Sequence, residues 1–198
     1  MTNSAKTVPT AYRTRRRLFH VMLAALALLL TGHVAPAGAE PAIDQRAPDL
    51  GECQQLHVSA EENQVAAYLF GVGVQIYQWD GATWKFVNPM ATLYADAGHH
   101  SAVCSHFGGP TWQSNSGSKV VGKVDDFCTP DPTAIPWLLL HAASSEGPGI
   151  FDGVTFIQRV NTVGGLAPAD PGAFVGEIAQ VPYTADYVFY RHRGVDAE

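Results

Sequence analysis

The chain is short of cysteine and, past its first forty residues, short of basic side chains. Three cysteines in 198 residues, Cys53, Cys104 and Cys128, exclude a dense disulfide scaffold. Only seven of the twelve Lys and Arg residues lie beyond position 39, whereas all eighteen Asp and Glu residues do, so residues 40–198 carry a net charge of −11. Such a surface repels nucleic acid and anionic lipid, and no nucleic-acid partner is expected. Beyond position 39 no useful length of sequence keeps a helical period, and no repeat recurs at propeller or solenoid spacing. The G-x-S-x-G nucleophile signature is missing. Ser116-Gly-Ser-Lys119 satisfies S-x-x-K, but on a turn and without its Ser-Asp-Asn or Lys-Thr-Gly partners.

What the chain does have begins with a targeting segment. Lys6, Arg13, Arg15, Arg16 and Arg17 precede an apolar run from Leu18 to Leu30, and Ala37-Gly38-Ala39 forms a cleavage site before Glu40. Residues 1–39 therefore read as a signal peptide, and Thr14-Arg15-Arg16-Arg17-Leu18-Phe19 also resembles a twin-arginine signal. The first cysteine is Cys53, far from any lipid-attachment position, so no stable membrane anchor is expected after cleavage. The protein is expected to be secreted or periplasmic, where a disulfide can form. Residues 40–54 contain Pro and Asp without periodicity and read as a flexible linker.

Residues 55–198 read as one β-rich domain. Gln64–Phe70 and Val74–Trp79 are strand-like around Gly71 and Gly73, which suggest a bulge or a close backbone approach. Asp80-Gly81 signals a two-residue hairpin returning through Ala82–Val87, which places Tyr77 opposite Trp84 and gathers an aromatic face with Trp79. Trp137–His141 is a short apolar run, a strand buried on both faces, with Trp137 in the core. Val154–Thr162 alternates, with Val154, Phe156 and Val160 on one side and Thr155, Arg159 and Asn161 on the other. Tyr183, Tyr187 and Phe189 share a face of the closing strand. Many short strands between Gly- and Pro-rich loops give an all-β fold, an antiparallel sandwich or barrel.

Three sets of residues carry candidate chemistry. Asp96–Gly109 reads as a loop bearing His99, His100, Cys104 and His106, ligand types that suit Zn²⁺ or copper. Their spacing fits no metal motif, so neither a metal nor a cofactor is expected. Tyr77, Trp79 and Trp84 form a stacking face if exposed and core if not. His106-Phe-Gly-Gly-Pro-Thr-Trp112 is the foremost candidate, a tight bend that sets His106 and Trp112 on opposite sides. Asp96, Asp125, Asp126 and Asp152 sit near turns, where carboxylates serve turn chemistry. Arg159 is expected to pair with Asp186. Three cysteines allow three single pairings; Cys104 with Cys128 is preferred, both lying in loop-like stretches flanking a hairpin.

Several motifs follow in order: Gly73-Val-Gln-Ile-Tyr77, Trp84-Lys-Phe-Val-Asn-Pro89, His106-Phe-Gly-Gly-Pro-Thr-Trp112, Gly117-Ser-Lys-Val-Val-Gly122, Ile135-Pro-Trp-Leu-Leu-Leu140, Ile157-Gln-Arg-Val160, Thr162-Val-Gly-Gly165 and Tyr183-Thr-Ala-Asp-Tyr187 with Phe189-Tyr190. Together they resemble the secreted domain-of-unknown-function family DUF3455 over nearly all the chain past the signal. The resemblance implies cysteines where this chain has Trp79 and Asp170-Pro171-Gly172. A family disulfide between those positions is thus missing here, with Cys104–Cys128 as a local substitute. The resemblance implies no activity. The residues favour a non-catalytic binding or structural module for a carbohydrate, a cell-surface component or a small molecule. The alternatives are a small secreted hydrolase or metal-dependent enzyme centred on His106, and a small-molecule carrier with a barrel cavity.

Overall fold

The computed structural model describes residues 46–194; the signal peptide expected over residues 1–39 lies outside them. Eight antiparallel strands close into a barrel in which each strand pairs with its neighbours in sequence and the last pairs with the first. They are β1 (Asn63–Trp79), β2 (Trp84–Tyr94), β3 (Ala102–Phe107), β4 (Thr111–Ser114), β5 (Lys119–Cys128), β6 (Trp137–Glu146), β7 (Val154–Gly164) and β8 (Ile178–His192). The all-β expectation holds, and of its two forms the barrel is the one formed. Among the described residues no helix is long and apolar enough to cross a membrane.

Alternation fills the barrel. Leu69, Leu93, Cys104, Trp112, Val120, Leu140, Ile157, Tyr183, Tyr187 and Phe189 point inward and form one cluster. Phe151, fully buried in the β6–β7 loop, packs on Phe189 at 4.7 Å between ring centroids and stops one end. Gly71 and Gly73 lie in an unbroken β1, and their bareness is required by close approach. A Cβ on Gly71 would lie 2.7 Å from the Tyr187 ring, and one on Gly73 would lie 2.2 Å from the Met90 carbonyl.

A second cluster lies outside the barrel wall. Leu50, Cys53, Leu56 and Val58 cover Val65, Val160, Val188 and Tyr190, with Trp137 and Leu139 packed against them. The second half of the expected 40–54 linker is therefore docked, through a short 3-10 turn at Gln54–Leu56. Hydrogen bonds and a disulfide hold it, among them a bond from the Gln55 amide to the Phe127 carbonyl at 3.2 Å. The Gln158 amide donates to the Leu56 carbonyl at 2.6 Å while its oxygen accepts from the Tyr190 hydroxyl at 2.6 Å. A disulfide joins Cys53 to Cys128, with Cα atoms 5.7 Å apart.

That disulfide corrects the Cys104–Cys128 expectation. Cys104 sits within β3, opposite Leu93 and Ser114, and is a free, buried thiol facing the barrel interior. Cys128 ends β5 opposite Trp137, which packs in the outer cluster. The barrel wall separates the two, and disulfide geometry cannot reach across it. Trp137 is accordingly only half-buried, against the outer cluster, while Leu138 and Leu140 of the same strand face in.

Two further expectations change. The β1–β2 connection is a four-residue loop, with Trp79 opposite Trp84 and Tyr77 opposite Phe86. Asp80 causes this: its carboxylate oxygen accepts from the amides of Ala82 and Thr83, each at 2.8 Å, and its own amide donates to the Thr83 carbonyl. Arg159 does not pair with Asp186. It lies opposite Tyr187 and turns inward, whereas Asp186 faces out and accepts from the Tyr68 hydroxyl and the Asn161 amide, each at 2.8 Å.

Candidate functional site

The barrel interior divides along its axis. Around Phe151, Val154, Leu140, Ile157 and Phe189 it is apolar. Towards the end bearing the β1–β2, β3–β4, β5–β6 and β7–β8 loops it becomes aromatic and polar, through Gln75, Tyr77, His106, Trp112, Arg159, Tyr183 and Tyr187.

His106 and Trp112 are directly opposed across the β3–β4 hairpin. The Gly108-Gly109-Pro110 bend, with Gly109 at φ 85°, places them on the same side, correcting the expectation of opposite sides. Their rings stack at 4.4 Å with 5° between planes, and the Tyr187 ring meets both edge-on. His106 is buried, not at a cleft edge; its Nδ1 donates to the Thr111 carbonyl at 2.9 Å, which leaves Nε2 as an acceptor. Burial pulls its pKa down to about 3; the Thr111 hydrogen bond pushes the other way, and the Arg159 charge adds a smaller fall. The imidazole is neutral near pH 7, and among the described residues no carboxylate is bonded to it.

The tyrosines surround Arg159. The Tyr183 and Tyr187 hydroxyls lie 3.0 Å apart, and Tyr77 donates to the Gly165 carbonyl at 2.7 Å. Burial raises the pKa of all three phenols, and the nearby guanidinium opposes each rise. Two buried donors in this half of the barrel have no acceptor among the described residues, Gln75 Nε2 and Trp112 Nε1. Sequence alone placed Trp112 among the candidates but missed Gln75, Arg159 and Tyr183. The available signal was their shared inward register with Tyr187, readable only once the β1–β8 and β7–β8 pairings are known.

Loops cover this end. Ile135, buried, donates its amide to the Gly164 carbonyl, and Gly165 presses its backbone against Gln75, Tyr183 and Ile135. Trp79 and Trp84 come together, ring centroids 5.5 Å apart, but tilted by 58°. The β7–β8 loop folds onto them: Trp84 Nε1 donates to the Asp170 carbonyl at 2.9 Å, and Gly172 abuts the Trp79 ring. Tyr77 is buried beneath, so the three aromatic candidates form a packed, loop-capped edge instead of an open face.

The histidine and cysteine candidates do not converge. His99 and His100 lie in the β2–β3 loop at the opposite end from His106; His99 packs on Tyr94 and His100 pairs with Asp96 at 3.0 Å. The Asp96 carboxyl, bonded by the Ser101 and His100 amides and by the His100 ring, is held down to about 2. Burial pushes the Cys104 thiol up to about 12, so it is a poor thiolate ligand. Among the described residues no group of three His, Cys, Asp or Glu side chains is placed to hold a metal. Lys119 of the S-x-x-K match pairs with Glu146 at 3.1 Å, while Ser116 bonds Ser114. Asp125 bonds His141 at 2.6 Å on the half-exposed surface, and Asp126 caps the Phe127 amide.

On the outer wall, Val72, Val74, Met90, Thr92, Ser105 and Phe107 line a shallow, largely apolar groove of about 470 Å³. It holds no ionisable side chain except that of His106, which faces inward from the floor.

No curated protein and no solved structure matches the chain. A family model described as a protein of unknown function matches residues 59–191, which span all eight strands but for the last residue of β8. The barrel, its ordered strand motifs and this match together make the chain a member of the DUF3455 family.

Proposed function

We propose that this is an exported, non-catalytic domain that binds a small molecule in the polar half of its barrel. The observation that carries this reading is the pair of buried donors, Gln75 Nε2 and Trp112 Nε1, that the described residues leave without acceptors. A buried donor without a partner costs about 1–3 kcal/mol, and native interiors keep few such groups. A ligand acceptor that reaches both atoms offsets that cost and gains aromatic walls from Trp112, Tyr183 and Tyr187. Catalysis finds no comparable support: His106 is neutral, enclosed and without a carboxylate partner, so it lacks the poised pKa that acid–base chemistry requires. The inter-segment disulfide supports an oxidising compartment.

The test is a thermal-shift and tryptophan-fluorescence screen of the purified protein, disulfide intact, against neutral sugars, aromatic amides, organic acids and amines. A compound present at about a hundred times its Kd is expected to add about 2.7 kcal/mol of stability and to change Trp112 emission. Gln75→Leu is expected to weaken binding while keeping the fold. If no class of compound shifts either signal, or if Gln75→Leu and Trp112→Phe bind as well as wild type, the reading fails.

A further inference from the structure

We infer that the polar half of the barrel receives an oxyanion and that Arg159 is the group that holds it. This rests on the binding reading above and names the ligand's chemistry.

Arg159 is a cation turned into a barrel. Its Nε and Nη2 donate to the Pro136 carbonyl at 3.1 and 2.7 Å, which fixes one edge of the guanidinium without neutralising it. The guanidinium is also within hydrogen-bonding reach of the Tyr187 hydroxyl. Among the described residues no carboxylate lies within ion-pair distance of it. The acid nearest in register, Asp186, points outward and is held by Tyr68 and Asn161. A partly buried charge without a counter-charge is unfavourable, and the Pro136 carbonyl and Tyr187 hydroxyl against it carry no charge. Gln75 Nε2 and Trp112 Nε1 are donors left over, and because one of the Tyr183 and Tyr187 hydroxyls donates to the other, one phenol hydrogen remains to donate. A cationic ligand would meet a like charge. A neutral one would satisfy the donors and leave the guanidinium unpaired. An oxyanion does both, and the Nη1/Nη2 edge is suited to two oxygens of one carboxylate or phosphate. Arg159 itself is only partly buried, beside the Pro136 carbonyl that it donates to.

The shared chemistry is a compact oxyanion, from an organic acid or from inorganic phosphate or sulfate, and matched probes separate the two. Thermal shift and calorimetric titration of the purified protein, disulfide intact, are run with sodium benzoate, benzamide, benzylammonium chloride, sodium phosphate and sodium sulfate, with sodium chloride at equal ionic strength as reference. Benzoate, or phosphate and sulfate, is expected to raise the melting temperature in a saturable way, at least tenfold more tightly than benzamide, with no response to benzylammonium. Benzoate alone identifies an organic acid; phosphate or sulfate alone identifies an inorganic ion. Arg159→Gln is expected to abolish the anion response, and Arg159→Lys to weaken it at least tenfold, since an ammonium cannot offer a forked edge. Should either variant fail to fold, the wild-type ratio of benzoate to benzamide decides. Benzamide binding as tightly as benzoate, or Arg159→Gln binding anions unchanged, overturns the anion while leaving the binding reading intact. Silence from every probe, charged or neutral, overturns both.

Discussion

His106 makes the stability of this barrel depend on pH in a window where exposed carboxylates contribute little. In the unfolded chain a histidine titrates near 6.5; in the barrel burial holds it near 3. Above about pH 6.5 both states keep the ring neutral and pH has no effect through this residue. Below that, the unfolded chain takes up a proton that the folded chain refuses, so stability falls by about 1.4 kcal/mol per pH unit until the folded ring also titrates. Between pH 7 and pH 5 the loss through His106 is therefore about 2 kcal/mol. The lowered carboxyls of Asp80, Asp96 and Asp131 act in the same direction, but only as pH falls below the ordinary carboxylate range. The assay is urea unfolding at pH 7, 6 and 5, comparing wild type with His106→Phe. The variant keeps an aromatic face for Trp112 but loses the bond to Thr111, and should be weaker at pH 7 by about 1–3 kcal/mol. Its stability should be nearly flat where wild type declines. An equal slope in both proteins, or a His106 ring titrating near 6.5 in the folded state by NMR, refutes the placement of this side chain inside a dry barrel.

Replacing Cys53 and Cys128 together by Ser opens a cross-link spanning 75 residues and should cost about 4 kcal/mol in chain entropy, read by denaturant unfolding. Hydrogen exchange should then rise first over the segment around Leu50–Val58, with the interior strands still protected. Cys104 should react with a thiol reagent at the rate of barrel opening and not at that of an exposed thiol, because burial pushes its thiol up to about 12; fast labelling under native conditions would place it outside the core. Trp112→Ala, at 1% exposure, should cost about 3–5 kcal/mol, whereas Trp137→Ala, half-buried on the outer cluster, should cost less; chemical denaturation ranks the two.

How far the sequence foretold this structure depended on whether the cue was local. The alternation of Tyr183, Tyr187 and Phe189 gave the inner face of β8, and the unbroken Trp137–His141 run does form a strand, although only Leu140 in it is buried and Trp137 is half-buried. The β1 glycines announced the close approach that Tyr187 and Met90 require. Failures came where a distant partner overrode a local pattern. Val154, Phe156 and Val160 do not share one face and Arg159 turns inward, because bulges between Val154 and Phe156 and between Val160 and Val163 change the register and the outer side of β7 is covered by the N-terminal segment; Asn161 alone of the polar set stays exposed. That cover was itself hinted at by Leu50, Cys53 and Leu56 at three-residue spacing, too short a pattern to stand against the Pro- and Asp-containing sequence before it. Cys104 and His106 fall in the Asp96–Gly109 stretch that reads as a loop, yet β3 begins at Ala102. In the candidate site, His106 and Trp112 were legible through the glycine bend between them; Gln75 and Arg159 were not, since their company is assembled from five strands spread along the sequence.

The pairing of β1 with β8, from Asn63 opposite His192 to Gln78 opposite Ile178, sets the order in which the molecule is completed. Strands β1 to β7 can zip up as successive hairpins while the chain is still being made, because each lies next to its predecessor. The seam cannot close until residue 192 is available, and it joins positions a hundred or more residues apart, a slow step by loop entropy. Tyr183 and Tyr187 arrive on that final strand. Until then Arg159, His106 and Gln75 remain in water, and the enclosure that neutralises the imidazole exists only once the two ends of the domain have met.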